Sequence, residues 1–360
     1  MTGTGGTPSE ATTANELDVA GEARLYRAMR RFWHPVAYGS ELADRPMGVV
    51  LLEEALVLVR LGGQIRCFAD LCAHRGTALS LGRVEEDELR CAYHGWTYGS
   101  DGVCTRIPAR FGSNIPRRAR LRAYRVQEAY GLIWVCLDGD PVYPIPEFPE
   151  WGDERYRIVP IPAYQWRCNA ARRLENFVDF AHFAWVHDGV LGDRDHPEVP
   201  EHDVWREGPE LRFFQKVVEP NRGATKEQLG LSDELLEVEN TYRLAIPLSI
   251  YLNRLFPGGN HYILTMNASP TGPRTTRSFS FIGRNYALDR DDQDFVDFEQ
   301  LILDQDRPVV ESQRPEELPV DLSAELHIRG VDLVSLEYRK WLVEIANGLV
   351  GPKTDAVTDG

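Results

Sequence analysis

Two short segments near the start of the chain carry residue types that bind metal, in the same arrangement. They are Cys72-Ala-His74-Arg-Gly76 and Cys91-Ala-Tyr-His94-Gly95-Trp96, with sixteen residues between His74 and Cys91. Each segment offers one thiol and one imidazole. Two cysteines on one iron and two histidines on the other is the ligand set of a mixed-ligand [2Fe–2S] cluster. Two hairpin tips would then grip the cluster from both sides, and Gly76 and Gly95 would let the backbone approach the sulfides. A structural zinc site is the alternative, since two cysteines and two histidines also suit zinc. Zinc motifs usually place the cysteines together first and the histidines later, so the mixed order argues for the cluster. Cys67, Cys104, Cys136 and Cys168 have no such partners and read as buried thiols.

A second constellation is Asn176-x-x-Asp179-x-x-His182-x4-His187. Two histidines and one carboxylate with open positions suit a non-haem Fe(II) that activates O₂. Asp179 and His182, three apart, are expected on one helix face. His182 and His187, five apart, would point about 140° apart on an ideal helix. Both reach one metal only if the helix ends or bulges between them, and Asp188-Gly189 follows directly. A lone buried histidine is more often a hydrogen-bonded core residue. Four polar side chains in the apolar run RRLENFVDFAHFAWVH would cost several kcal/mol to bury unsatisfied, so a metal accounts for them better. The carboxylate ligand must come from farther along. Asp306 is the choice, because Pro308 should disturb a helix there and turn the aspartate toward a site; residue chemistry alone leaves Asp304 open as well.

The elements that position these groups follow from the pattern. A helix is expected around Glu22–Arg31. Short strands and turns run from Val49 to about Asp138, with a hairpin at Gly62-Gly63 and a strand ending at Asp138-Gly139. The Pro-rich PVYPIPEFPEW reads as a linker, the segment from Arg172 to His187 as a buried helix, and 209–285 as strands. Val334, Tyr338, Trp341, Leu342, Ile345 and Leu349 recur at helical spacing, and Gly348 reads as a helix stop. Residues 1–22 and 351–360 are expected to be disordered tails, 23–142 a cluster-binding β domain with an N-terminal helix, and 143–350 an iron-binding domain. The 360 residues, 43% hydrophobic, are enough to bury a sizeable core. A net charge of −15 argues against nucleic acid. No apolar run is long enough to span a membrane, and the first residues lack the features of a signal peptide, so a cytoplasmic location is expected.

With both motifs in this order, the chain resembles the Rieske non-haem iron aromatic ring-hydroxylating oxygenases. It is most similar to the shorter members, such as vanillate O-demethylase and dicamba monooxygenase. The resemblance implies an α+β fold: an all-β Rieske domain, then a helix-grip domain in which an antiparallel sheet wraps a long helix. It implies that Cys72, His74, Cys91 and His94 hold the cluster and that His182, His187 and Asp306 hold the iron. The Asp306 transfer also uses the family spacing to Glu311. It further implies a homotrimer in which Asp179 of one subunit bridges its own His182 and the cluster histidine His94 of a neighbour. Pocket residues would come from the sheet and from loops near 188–206 and 225–260; Tyr242, Leu248, Tyr251, Leu252, Phe256 and Tyr262 allow an apolar substrate, and core packing accounts for them equally well.

The expected reaction is O₂-dependent hydroxylation or O- or N-dealkylation of a small, aromatic substrate, with Asp179 and Asn176 as catalytic residues that are not ligands. A cis-dihydroxylating dioxygenase and a plain electron carrier are the alternatives. No nucleotide-binding Gly-x-Gly-x-x-Gly and no plant-type ferredoxin cysteine run is present, so electrons from NAD(P)H must arrive through a reductase, with or without a ferredoxin. Arg106, Arg110, Arg117, Arg118, Arg120, Arg122 and Arg125 lie in a stretch, 105–125, that holds no acid. They read either as a docking patch for an acidic donor or as arginines that are solvated or paired with acids of a neighbouring subunit.

Overall fold

The computed structural model describes residues 21–350 apart from 110–113, 222–225 and 228, so the two expected tails fall almost wholly outside the described residues. Helix α1 occupies 21–28. Strands β1 (His34–Tyr38), β2 (Met47–Leu51), β3 (Glu54–Leu61), β4 (Gln64–Ala69), β9 (Ala123–Ala129) and β10 (Leu132–Cys136) form an antiparallel sheet in the order β1-β10-β9-β4-β3-β2. A smaller sheet joins β5 (Arg83–Glu85), β6 (Glu88–Arg90), β7 (Thr97–Tyr98) and β8 (Cys104–Arg106). The first cluster segment is the loop between β4 and β5, and the second is the loop between β6 and β7. The hairpin at Gly62-Gly63 forms as expected, with both glycines at positive φ. A further turn at Leu52-Glu53 divides the preceding apolar run. Both residues have positive φ, 49° and 62°, which is costly for side chains of this kind. The distant sheet sustains the turn, because Leu52 N–H donates to the Pro270 carbonyl at 2.7 Å and Glu53 N–H to that of Thr271 at 3.0 Å.

The second half is built on one seven-stranded antiparallel sheet. Its strands are β11 (Arg157–Trp166), β12 (Val204–Glu207), β13 (Glu210–Pro220), β14 (Leu235–Ala245), β15 (Ser249–Phe256), β16 (Asn260–Gly272) and β17 (Thr275–Arg284), in the order β11-β17-β16-β15-β14-β13-β12. Helices α2 (Ala170–Val178), α3 (Phe183–Val186), α4 (Asp292–Ser312) and α5 (Leu333–Ala346) complete it.

Four expectations are corrected here. The segment from Arg172 to His187 is two helices, broken at Asp179, whose φ and ψ of −85° and 120° are extended. Pro308 does not end α4, which runs through it to Ser312 at the cost of one backbone hydrogen bond. Leu349 lies beyond α5 and is exposed, whereas Val334, Tyr338, Trp341, Leu342 and Ile345 are buried. Tyr251 faces away from the iron helices, with its hydroxyl donating to Glu150 at 2.8 Å.

The two halves share apolar packing: residues of β1, β2 and β10 lie in one continuous core with α2, β13–β16 and α5. The Tyr38 hydroxyl donates to the Ile161 carbonyl at 2.6 Å and accepts from Ser280 N–H at 3.1 Å, tying β1 to the large sheet. A buried ion network fastens α2 to α5. Arg339 donates to both oxygens of Glu175, at 2.5 and 2.7 Å, and to Glu325 at 2.6 Å; Arg172 donates to Glu325 at 3.0 Å. Removing one partner from such a network strands a buried charge, so Arg339→Met is expected to cost about 3–5 kcal/mol. Pairing it with Glu175→Leu should recover part of that loss. Urea denaturation of both variants checks this, and a double variant no more stable than the single one would show that the network is not coupled.

Candidate metal centres

The cluster segments fold as near-copies of one another. In the first, Cys72 N–H donates to the Thr77 carbonyl at 2.8 Å and Gly76 N–H to Cys72 at 2.9 Å. In the second, Cys91 N–H donates to Trp96 at 2.9 Å and Gly95 N–H to Cys91 at 3.1 Å. Each loop closes on its glycine at positive φ, 69° and 67°. The loops bring the Cys72 and Cys91 thiols together, both buried, and hold the His74 and His94 rings with centroids 4.5 Å apart. His74 stacks on Trp96 at 4.6 Å, and the Tyr98 hydroxyl lies 3.1 Å from Cys72 Sγ. Burial pushes the Cys72 thiol pKa up, so its thiolate needs a cation beside it. His74 Nδ1 is buried without a partner among the described residues. Two buried thiols, an orphaned imidazole nitrogen and a second imidazole alongside fit the donor set of a [2Fe–2S] cluster with mixed ligation.

The break after α2 shapes the second centre. His182 caps the start of α3 and His187 its end, so one helical turn separates them and their Nε2 atoms lie 3.2 Å apart. Asp306, on the buried face of α4, places Oδ1 3.4 Å from His182 Nε2 and 3.1 Å from His187 Nε2. Metal bonds to such donors run about 2.0–2.2 Å, so this spacing suits ligands sharing one small cation. Asp304 is exposed on the far side of α4, accepting from Gln300. Burial raises the Asp306 carboxyl, yet His182, His187 and Arg173 together hold it well below the usual carboxylate range. At His182 burial opposes the charged ring, but Asp179 and Asp306 outweigh it and raise its pKa to about 9.

Support comes from residues that the sequence reading used only in part. Arg173 Nη1 donates to Asn176 Oδ1 at 2.9 Å, which turns the Asn176 amide nitrogen toward Asp306 Oδ1 at 3.3 Å. Arg173 is itself buried against the Trp166 ring and bonded to the Tyr164 hydroxyl. A charge inside an apolar helix was the available signal. Gln305 Oε1 lies 2.8 Å from His187 Nδ1, so that N–H donates and Nε2 keeps the lone pair a metal needs. Gln305 was missed, though it adjoins Asp306. Asp179 is not on a shared helix with His182, but its carboxylate still comes within 3.5 Å of His182 Nδ1. Glu311 stands outside the centre, bonded to Arg167 and Arg307.

The arginine stretch divides. Arg122 pairs with Asp138 at 3.1 Å and Arg125 with Asp140, so these two are engaged within the chain. Arg106, Arg117, Arg118 and Arg120 are exposed and form no ion pair among the described residues, and Arg110 lies outside those residues.

Residues 32–122 match the Rieske [2Fe-2S] domain and 166–348 match the vanillate O-demethylase oxygenase C-terminal domain. The chain belongs to the Rieske non-haem iron oxygenases, the family whose members carry a [2Fe–2S] cluster and a mononuclear iron and receive electrons from a reductase or ferredoxin. Among its relatives are methylxanthine N1-demethylase NdmA of Pseudomonas putida, 35% identical over 92% of each chain, and methylxanthine N3-demethylase NdmB of the same organism, 36% identical over 88% of this chain and 90% of that one. The structure of NdmA from P. putida CBB5 with caffeine superposes with a TM-score of 0.82 at 35% identity, covering 90% of this chain and 93% of that one. Dicamba monooxygenase shares the fold, with a TM-score of 0.77 at 23% identity over 89% of this chain and 98% of that one.

If Asp306 is the carboxylate of this centre, Asp306→Asn should lose the mononuclear iron and keep the cluster, while Asp304→Asn keeps both. Gln305→Leu should weaken iron retention by about 10–100-fold. Iron per chain after graded chelator treatment measures all three, and iron loss in Asp304→Asn would reverse the assignment.

Proposed function

We propose that the protein is the terminal oxygenase of an N- or O-demethylase acting on small methylated aromatic compounds. One atom of O₂ enters the methyl group, which leaves as formaldehyde, and the other leaves as water with two electrons and two protons. Those electrons come from NAD(P)H through a reductase, with or without a ferredoxin. The observation that carries this reading is the meeting of the half-buried His182 with the buried His187 and Asp306, in a chain whose extensively matched relatives are demethylases. When bound there, an Fe(II) held on one face would supply O₂ activation at its open positions. Cys72, His74, Cys91 and His94 would hold the cluster. Asn176, steered by Arg173, keeps Asp306 facing the histidines, and Gln305 fixes the tautomer of His187. The domain division near 142/143 and a cytoplasmic location belong to the same reading.

Two finer proposals concern assembly and electron supply. Asp179 serves as the electron bridge across a head-to-tail trimer, between His182 of one subunit and His94 of the next. In its favour, the Asp179 side chain is 38% exposed although it touches His182, whose side chain is only 13% exposed. Exposed apolar side chains also crowd both centres, with Leu71 and Tyr93 at the cluster loops and Trp185 on α3. Arg106, Arg117, Arg118 and Arg120 form the landing site for an acidic donor, beside the second cluster loop.

The test of the activity is turnover under ¹⁸O₂ with a surrogate reductase and methylated aromatics. Formaldehyde equal to demethylated product is expected; a cis-diol without formaldehyde would establish the dioxygenase alternative. Asp179→Asn is expected to fold, keep its cluster and accept electrons there, yet form almost no product in a single turnover. Near-normal product from the pre-reduced variant would remove the bridge. Arg117→Glu with Arg118→Glu should slow cluster reduction most at low salt, and a rate unchanged across ionic strength would remove the docking site.

A further inference from the structure

We propose that a polar row crossing the inner face of the large sheet is the substrate-recognition subsite, and that it selects uncharged planar molecules rich in hydrogen-bonding heteroatoms over aromatic carboxylates. The row is Gln215, Asn240, Arg254 and Tyr262, contributed by four successive strands, with Glu299 of α4 opposite. It rests on the oxygenase reading above and names the substrate class for that site.

Strand alternation puts every second residue on the inner face. Gln215 is the cross-strand partner of Asn240, Asn240 of Arg254, and Arg254 of Tyr262. The adjoining inner row, Phe213, Tyr242, Leu252 and Leu264, is in the same register and almost wholly apolar. A line of polar side chains across such a face is costly to bury and needs a reason. Internal hydrogen bonds account for only part of it. Arg254 donates to Glu219 at 2.6 Å and to Asn240 Oδ1 at 3.2 Å, and the Tyr262 hydroxyl donates to Glu299 at 2.5 Å. Gln215 is only 3% exposed, and its Nε2 has no partner among the described residues. With Asn240 Oδ1 already accepting, that side chain keeps its amide N–H groups to offer. Glu299 is buried and forms no ion pair among the described residues, and burial pushes its carboxyl pKa up, which favours a neutral acid able to donate.

The adjoining apolar row leads from the polar one to the iron centre. Phe213 and Tyr242 stack at 4.5 Å, and both rings meet Phe180, which lies between Asp179 and His182. Glu299 stands on the buried face of α4 seven residues, or about 10 Å, before Asp306.

Charge decides the class of substrate. The half-buried Arg254 pairs with Glu219, and of the buried arginines Arg284 pairs with Asp292, Arg172 and Arg339 pair with Glu325, and Arg173 is held by the neutral Tyr164 and Asn176. A carboxylate entering this space would face Glu299, and Arg173, the buried arginine with no carboxylate partner among the described residues, would have to give up Tyr164 or Asn176 to receive it. An uncharged cyclic amide, imide or heteroaromatic would instead meet amide donors and a carboxyl.

The experiment is calorimetric binding to the reduced holoenzyme under anaerobic conditions, with formaldehyde release measured in parallel. One panel holds uncharged N-methylated cyclic amides, imides and heteroaromatics, caffeine among them. The other holds methoxy- and chlorobenzoates, dicamba among them. The neutral panel should bind, and the benzoates at least about tenfold more weakly. Gln215→Leu should weaken the neutral ligands by about tenfold or more, while its melting temperature stays level or rises because an unpaired buried amide has been removed. Glu299→Gln should retain most of the binding that Glu299→Leu loses. Equal or tighter binding of benzoates, no binding of the neutral panel, or a fall in melting temperature alongside binding in Gln215→Leu would overturn the inference. Formaldehyde released only from methoxybenzoates would sink this subsite and leave the demethylase reading intact. Neutral ligands that bind but yield hydroxylated product without formaldehyde would sink that reading and uphold the subsite.

Discussion

Two imidazole nitrogens and one carboxylate oxygen, none more than 3.4 Å from another, meet inside the catalytic half, and the rest of the architecture serves that meeting. Three such groups in an apolar interior are unfavourable unless each is held by charge or hydrogen bonds. Arg173, Asn176 and Gln305 do this from behind, and they lie on the two helices that supply or precede the donors. The helix between the two histidines must also end by His187. On an uninterrupted helix His182 and His187 would diverge by about 140°. With α3 reduced to a single turn, one histidine sits at each of its ends and both face α4.

The large sheet holds α2 and α4 in place, and the Arg172–Glu175–Glu325–Arg339 network locks α2 to α5. The register of the sheet also aligns four polar side chains in one inner row beside the aromatic layer that Phe180 touches, so the surface that backs the metal helices carries polar groups as well as rings. The cluster half follows a different logic. Its two loops are nearly self-contained, each closed by its own backbone hydrogen bonds and a left-handed glycine.

That difference explains what could be read from the sequence. The cluster loops were legible because ligands, glycines and closing bonds all fall within a few residues. The histidine pair was legible too, including a helix end by His187 that Asp188-Gly189 signals, but the earlier break was not: extended backbone at Asp179 has no glycine or proline to announce it. Asp306 and Asp304 were inseparable by residue type, and the face of α4 distinguishes them only once α4 is packed. Pro308 misled because a packed helix tolerates one lost hydrogen bond. The Leu52-Glu53 turn was hidden because its support comes from Pro270 and Thr271, more than two hundred residues away. The polar row was invisible for the same reason, since Gln215, Asn240, Arg254 and Tyr262 become neighbours only through strand register.

The most direct test of this account is ⁵⁷Fe Mössbauer spectroscopy of the anaerobic full-length protein and of its His182→Ala variant. The account predicts three irons per chain, two in the mixed-ligand cluster and one high-spin ferrous, with only the ferrous component missing in the variant. A ferrous component that survives His182→Ala, or a native protein whose only iron is the cluster pair, would contradict it.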